Sequence, residues 1–414
     1  MPWAHDRALE LIFPGRLEGG DVTYSKHWLA FHGGHRPNHS TRHVSALIPS
    51  ENVRPSALRL CVVAPSLGIL GGQAVQALRL VEHLNRGSAI SVDLLPVNPQ
   101  LPGLLGRLQR VKYVRTVLTE ARYVASLVTR LPRYDVIHVF SASYWSFVLA
   151  PLPAMLIGRL FGKRVILNYH SGEADDHLTR WPSAVRLMRL AHEVIVPSEY
   201  LVDVFAKFGI RARALFNFVD VDRIPYRCRT ALAPRFLSNR NLEPLYNVAL
   251  VLRAFAEIQA ERPTAELVVA GFGSQRHMLE SLAHELALEN VRFVGRVPSD
   301  EMGALYDAAD IFLNGSNIDN MPLSILDAFA AGVPVVTTDA GGIPYVVRDG
   351  VNGFLVPRED HGGMARACLR LLNDDALAVR IADTARQECL DRYSWPVVAA
   401  QWEALYRGPA VLPR

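Results

Sequence analysis

The stretch from Ala309 to Pro357, ADIFLNGSNIDNMPLSILDAFAAGVPVVTTDAGGIPYVVRDGVNGFLVP, restricts the fold more than any other part of the chain. It opens with Ile311-Phe312-Leu313, an apolar run of strand length that stops at Asn and Gly. A polar loop, Ser316 to Asn320, follows. Leu323, Ile325, Leu326, Ala328 and Phe329 then recur at helical spacing and end at Gly332, a C-terminal cap. Pro334 to Thr338 reads as a second buried strand, closed by Gly341-Gly342. Two buried strands joined through a helix form a parallel pair, and a chain built from such units is α/β. In that architecture the loop ahead of the helix faces the ligand crevice.

This loop has the means to hold an anion. The first helical turn, Met321 to Ser324, leaves backbone N–H groups without intrahelical acceptors. Pro322 has no N–H and suits an early helical position, so Leu323 and Ser324 are the expected donors. Asp319 and Asp327 flank the turn and carry two readings. Together they can accept hydrogen bonds from hydroxyls of one elongated ligand. Separately, Asp319 is a turn residue and Asp327 a solvated helix position.

The whole string resembles the donor-site signature of GT-B glycosyltransferases of the GT4 type. That signature is an acid-x7-acid motif, usually with two glutamates, leading into an alanine-rich helix, then G-x-P-V-V and G-G-x-P. Here Asp319 to Asp327 fits with both acids shortened, and Gly332-Val-Pro334-Val-Val336 and Gly341-Gly-Ile-Pro344 follow in order. The resemblance implies that Asp319 contacts the donor sugar and Asp327 the ribose hydroxyls, with one methylene less reach. Tyr345 stands where the family often has Glu.

A chain of 414 residues, half of them hydrophobic and a fifth charged, is long enough for two ordinary domains with substantial cores. A net charge of +4 does not point to nucleic acid. Cys61, Cys228, Cys368 and Cys389 are scattered without C-x-x-C or Cys/His pairing, which suits a reducing cytosol without structural zinc. The most apolar segment, Phe147 to Ile157, is short and interrupted by Pro151 and Pro153, well below a bilayer span. No basic-then-apolar leader opens the chain. The expectation is a cytoplasmic protein, soluble or peripheral on the cytoplasmic membrane face.

Residues 1–57 form a polar extension in which His32, His35, His39 and His43 cluster at irregular spacing without carboxylate or cysteine partners, so no metal is expected. From 58 to 216 the chain reads as a Rossmann-like acceptor domain. Leu60 to Ala64 is a buried strand, and Ala74, Ala77, Leu78, Val81 and Leu84 share a helical face. Between them, the turn ending in Gly71-Gly72 lets backbone approach an anion, although tight turns also need glycine and the G-x-G-x-x-G spacing is absent. The turn resembles the family's glycine loop, which implies that Gly71 and Gly72 face the donor phosphates.

Residues 101–133 carry Arg107, Arg110, Lys112, Arg115, Arg122, Arg130 and Arg133 against one acid, Glu120. Such a stretch either lies on an anionic membrane or is a helix with a solvated basic face. Further strands are expected at Asp135 to Phe140, Arg164 to Tyr169 and Val194 to Val196. The second ends at His170, where ligands bind in parallel sheets, and a histidine there is either a structural hydrogen-bonder or a ligand contact. The resemblance implies contact with the donor sugar. Glu173, Asp175 and Asp176 beyond it either meet an acceptor or form a solvated loop.

A hinge is expected over 217–235, a Rossmann-like donor domain over 236–385, and a helix over 386–414 that crosses back to the first domain. In the donor domain the family has an Arg followed five residues later by a Lys, both stabilising the departing diphosphate. Arg240 fits the first, but position 245 is leucine, so either Arg240 acts with helix N–H groups alone, or another cation such as Arg276 substitutes, or the protein is slow or inactive. Gly273 follows a strand in another glycine turn, and Arg296 lies in a segment resembling the one that reads the nucleotide base.

The expectation is a retaining, metal-independent hexosyltransferase without a cofactor. It would take a UDP- or GDP-linked sugar to a glycan or lipid-linked acceptor. Arg240, Asp319 and His170 are the catalytic candidates. A sugar-nucleotide epimerase and a catalytically weakened partner subunit that binds nucleotide remain as alternatives.

Overall fold

The computed structural model describes residues 58–66, 71–87, 90–99 and 112–408, except for the side chains of 112–114. The extension 1–57 with His32, His35, His39 and His43 lies outside these residues, as do Arg107, Arg110 and the Lys112 side chain.

Two six-stranded parallel sheets organise the chain. The first holds β1 (Leu58–Ala64), β2 (Ile90–Pro96), β3 (Val136–Ser141), β4 (Arg164–Tyr169), β5 (Glu193–Val196) and β6 (Ala212–Ala214), in spatial order 2-1-3-4-5-6. The second holds β7 (Arg235–Ser238), β8 (Glu266–Ala270), β9 (Val291–Gly295), β10 (Ile311–Asn314), β11 (Val335–Thr338) and β12 (Phe354–Val356), in order 12-11-10-7-8-9. Parallel neighbours need crossovers, and helices supply most of them, covering both faces of each sheet. The central strands are therefore buried on both sides, whereas β2 exposes Ser91 and Asp93 and β6 exposes Arg213.

Alternation shows in where successive residues go. Leu60, Val62, Val136, Phe140 and Ile166 enter one cluster, and Cys61, Val63, Ile137, Val139 and Leu167 enter the other. The second sheet has its own core, where Phe236, Ile311, Leu313 and Val336 meet Val251 and Phe255 of the helix Val248–Glu261.

The helix Trp395–Arg407 follows the second sheet in sequence but packs on the first. Val398, Trp402, Leu405 and Tyr406 join the cluster of Leu60 and Val62. The Tyr406 hydroxyl meets His138 Nδ1 at 2.9 Å, and Arg164 donates to the Tyr406 carbonyl at 2.9 Å. Truncating Trp402, which is 1% exposed, would remove about 3–5 kcal/mol. The chain passes between domains twice, side by side, where Val219 bridges Ser394 and donates its N–H to the Tyr393 carbonyl at 2.8 Å.

Chain order reverses at β1, flanked by β2 and β3, and at β7, flanked by β8 and β10. Crevices open at the carboxyl ends of strands at such reversals, so two crevices are available to one ligand.

Candidate active site

A cleft of about 970 Å³ is lined from both domains, by Gly71, Gly72, Arg79 and His170 on one wall and Arg240, Asp319, Leu323, Ser324 and Asp327 on the other. Arg240 leaves the sheet two residues after β7 ends. Its guanidinium donates to the Asp319 carboxylate and, at 3.2 Å, to Ser324 Oγ, and it sits over the Tyr246 ring, 4.2 Å from the centroid. Arg240 and Asp319 side chains are each 12% exposed, so neither is a solvated surface group. Asp319 also accepts from the Asn320 N–H at 2.9 Å and from Ser316 Oγ at 3.3 Å. Arg240 Nε has no protein acceptor among the described residues.

The loop is seated by the paired glycines. Gly341 has φ +52°, and a Cβ there would overlap the Asp319 carbonyl oxygen, while the Gly342 N–H donates to that oxygen at 3.1 Å. Only glycine permits both the left-handed backbone and this approach. The opposite domain holds the same loop. Ser198 Oγ donates to the Asn320 side chain, and Asn217 Nδ2 donates to the Met321 carbonyl at 2.9 Å.

In the helix Leu323–Ala330, internal bonding begins with Ile325 and Leu326 N–H groups donating to the Pro322 carbonyl at 3.1 and 3.4 Å. Leu323 and Ser324 thus supply the first-turn N–H groups that face anions. One turn on, Asp327 is 7% exposed, which corrects its reading as a solvated position. Its carboxylate takes both terminal nitrogens of Arg79, at 3.2 Å each, from the helix Gly72–Gly87 of the other domain. Burial raises the Asp327 carboxyl above the usual carboxylate range, and the Arg79 guanidinium pulls it back.

His170 follows β4. Its backbone N–H donates to the Ser141 carbonyl at 3.0 Å and its ring stacks on Phe140, 4.9 Å between centroids. Burial pushes its pKa down to about 3, so the ring is neutral at pH 7. Nε2 has no hydrogen-bond partner among the described residues. Of the acids beyond it, only Glu173 lines the cleft. Asp175 pairs with Lys207 at 3.1 Å and Asp176 with Arg180 at 2.8 Å, which leaves both to the surface.

Two expectations move. Gly273 is not in the cleft wall; a Cβ there would overlap the Leu242 carbonyl, so the glycine serves close backbone packing. Arg276 is also outside the cleft lining, paired with Glu280 at 2.8 Å. Tyr345 donates to Asp203 at 2.8 Å, across the domains. Leu245 does line the cleft and places no charge there, while Arg296 and Arg115 also line it. Sequence reasoning missed Tyr246 and Arg79. Arg79 was legible only as part of the face Gly72, Gln76, Arg79 and His83, polar residues at helical spacing beside the apolar one.

Two Rossmann-like domains that face each other across a cleft at their carboxyl edges define the GT-B class. Residues 233–388 match the family described as Glycosyl transferases group 1, and residues 70–223 match Glycosyltransferase Family 4. A glycogen synthase of Mycobacterium tuberculosis is 30% identical over 293 residues, 66% of this chain and 69% of its own. A phosphatidyl-myo-inositol mannosyltransferase of Mycobacterium leprae is 27% identical over 378 residues, 85% of this chain and 97% of its own. In structure, HepE of Anabaena in complex with UDP and glucose aligns with TM-score 0.68 at 20% identity, covering 85% of this chain and 100% of its own. The chain belongs to the GT4-type glycosyltransferases.

Proposed function

We propose that this glycosyltransferase moves a hexose from a UDP- or GDP-linked donor to a hydroxyl acceptor, with retention and without a metal or cofactor. The observation that carries this reading is that Arg240, the helix start at Leu323 and Ser324, and the opposed Gly71-Gly72 helix start line one cleft, with Arg240 bonded to Ser324 and Gly72 close to Leu323. As the anomeric C–O bond breaks, the diphosphate gains negative charge, and one fixed cation and helix N–H groups stabilise it. The acceptor oxygen bonds to the anomeric carbon on the face that the diphosphate leaves, and the acceptor proton departs with a phosphate oxygen. Neutral His170 offers its unpartnered Nε2 to a donor-sugar hydroxyl. Asp319 fixes Arg240 and contacts the sugar, Asp327 takes the ribose hydroxyls, and Arg296 lies toward the base. The names of the relatives, a glycogen synthase and a mannosyltransferase, and the UDP and glucose bound by HepE support a nucleotide-sugar donor.

For the acceptor, the same reading takes a glycan or a lipid-linked hydroxyl. Among the described residues no helix is long and apolar enough to cross a membrane. The helix Lys112–Arg130 carries exposed Arg115 and Arg122, and Val117 is 69% exposed. It packs on the helix Pro151–Leu160, whose Leu160 is 82% exposed. Exposed basic and apolar groups on these two neighbouring helices support peripheral contact with an anionic membrane from the cytoplasmic side. Sedimentation with phosphatidylserine vesicles, lost in an Arg115→Ala/Arg122→Ala variant, would support this; binding equal to that of neutral vesicles would end it.

A second reading has one observation behind it. Leu245 leaves the leaving group one cation short, as in a partner subunit that binds nucleotide and transfers nothing. A screen of individual UDP- and GDP-sugars, with and without cell-derived acceptors and with EDTA, decides between them. Acceptor-stimulated nucleotide release unaffected by EDTA supports the transferase. Binding without release under every condition supports the partner subunit.

A further inference from the structure

The face of the helix Gly72–Gly87 that turns toward the donor domain presents residues at helical spacing. Gly72 lies so close that a Cβ there would be 3.9 Å from Leu323 Cδ1. Arg79 bonds Asp327 through both carboxylate oxygens at 3.2 Å, and further along His83 meets Asp220 at 3.2 Å. Leu323 and Asp327 are themselves one turn apart on the facing helix, so Gly72 and Arg79 meet successive turns of it. Arg79 also donates to the Phe218 carbonyl at 3.4 Å, at the crossing between domains, which anchors the guanidinium on the acceptor side.

We infer that Arg79 is a positioning residue for the donor nucleotide: it holds the Asp327 carboxylate ionised and aimed so that the remaining lone pairs accept the two ribose hydroxyls. This rests on the reading of Asp327 as the ribose acceptor. Each Asp327 oxygen accepts one N–H from Arg79 and keeps a second lone-pair site. Both residues line the cleft, and their side chains are 11% and 10% exposed, so a ligand can reach the pair while bulk water screens it little. An isolated carboxylate at this depth would take up a proton and turn one acceptor into a donor. Arg79 prevents that and fixes the carboxylate plane through the bidentate geometry, which lysine cannot reproduce fully. Because the arginine comes from the other domain, the ribose site is complete only while the two domains are together.

The test compares binding of UDP and GDP with that of their 2′,3′-dideoxy counterparts by calorimetry in the wild type, Arg79→Met, Arg79→Lys, Asp327→Asn and Arg79→Met/Asp327→Asn. The wild type is expected to favour the natural nucleotide by about tenfold or more, as two hydrogen bonds to a charged acceptor supply. Arg79→Met should bring that ratio to within about twofold, Arg79→Lys should restore part of it, and Asp327→Asn should add nothing to Arg79→Met. Thermal melts confirm folding, and Arg79→Lys carries the test if the methionine variant fails to fold. A full hydroxyl preference in Arg79→Met, or in Arg79→Lys an unaltered one with Arg79→Met unfolded, overturns the inference. A wild type that binds nucleotide without any preference also overturns it while leaving the glycosyltransferase reading standing. A wild type that binds neither nucleotide removes the donor reading and this inference with it.

Discussion

Replacing Arg240 by alanine separates what the cation does for the loop from what it does for the leaving group. In the folded protein Asp319 would keep the Asn320 N–H at 2.9 Å and Ser316 Oγ at 3.3 Å, so its charge is not stranded. The stability cost then falls below the 3–5 kcal/mol of a broken buried pair, at about 2 kcal/mol. The rate cost is larger. A single preorganised donor to a developing negative charge contributes about 100- to 1,000-fold in kcat, and no lysine at 245 backs Arg240 up. Arg240→Lys keeps the charge but cannot reach both Asp319 and Ser324, so it should fall between the two. Nucleotide release at saturating donor, with urea midpoints beside it, measures both costs. Asp319→Asn added to Arg240→Ala is the discriminating double variant. Recovery of the rate in the double variant would show that Arg240 only neutralises Asp319, and the leaving-group role would be wrong. Full kcat in folded Arg240→Ala would be equally damaging.

Other perturbations have clear directions. Leu245→Lys, which puts a cation into the cleft wall beside Arg240, should raise kcat by about tenfold; an unchanged rate would mean the diphosphate does not pass Leu245. Gly341→Ala must give up the φ of +52° or push the Asp319 carbonyl away, so it should cost about 1–3 kcal/mol in denaturant unfolding and disable donor turnover; a wild-type rate would show that the loop position is not critical. His138 and His170, both pushed by burial down to about 3, stay neutral in the fold while the unfolded chain protonates near 6.5. The unfolded state therefore binds more protons, and stability falls as pH drops from about 6.5 toward 3, by up to about 1.4 kcal/mol per pH unit for each histidine. Urea midpoints at pH 7 and pH 5 check this, and equal midpoints would contradict it.

The α/β class was legible in the chain because its signals are local. Leu60 to Ala64 and Ile311 to Leu313 are apolar on both faces, as strands buried in a parallel sheet must be, and helical spacing between them dictates the crossovers. Several site positions were legible for the same reason. Arg240 stands just past a strand end, His170 at another, and Leu323 and Ser324 at a helix start, so their place at the carboxyl edge follows from chain order alone. Contacts between domains were not. Asp327 reads as an outward helix position until Arg79, 248 residues away, is brought onto it. Gly273 and Arg276 look like ligand contacts in sequence, yet one answers the Leu242 carbonyl and the other Glu280. Spacing along a chain encodes which way a side chain leaves its own strand or helix. Which group meets it across a cleft depends on how two separately folded sheets dock, and the contacts at Arg79, Asn217 and Trp402 are decided only there.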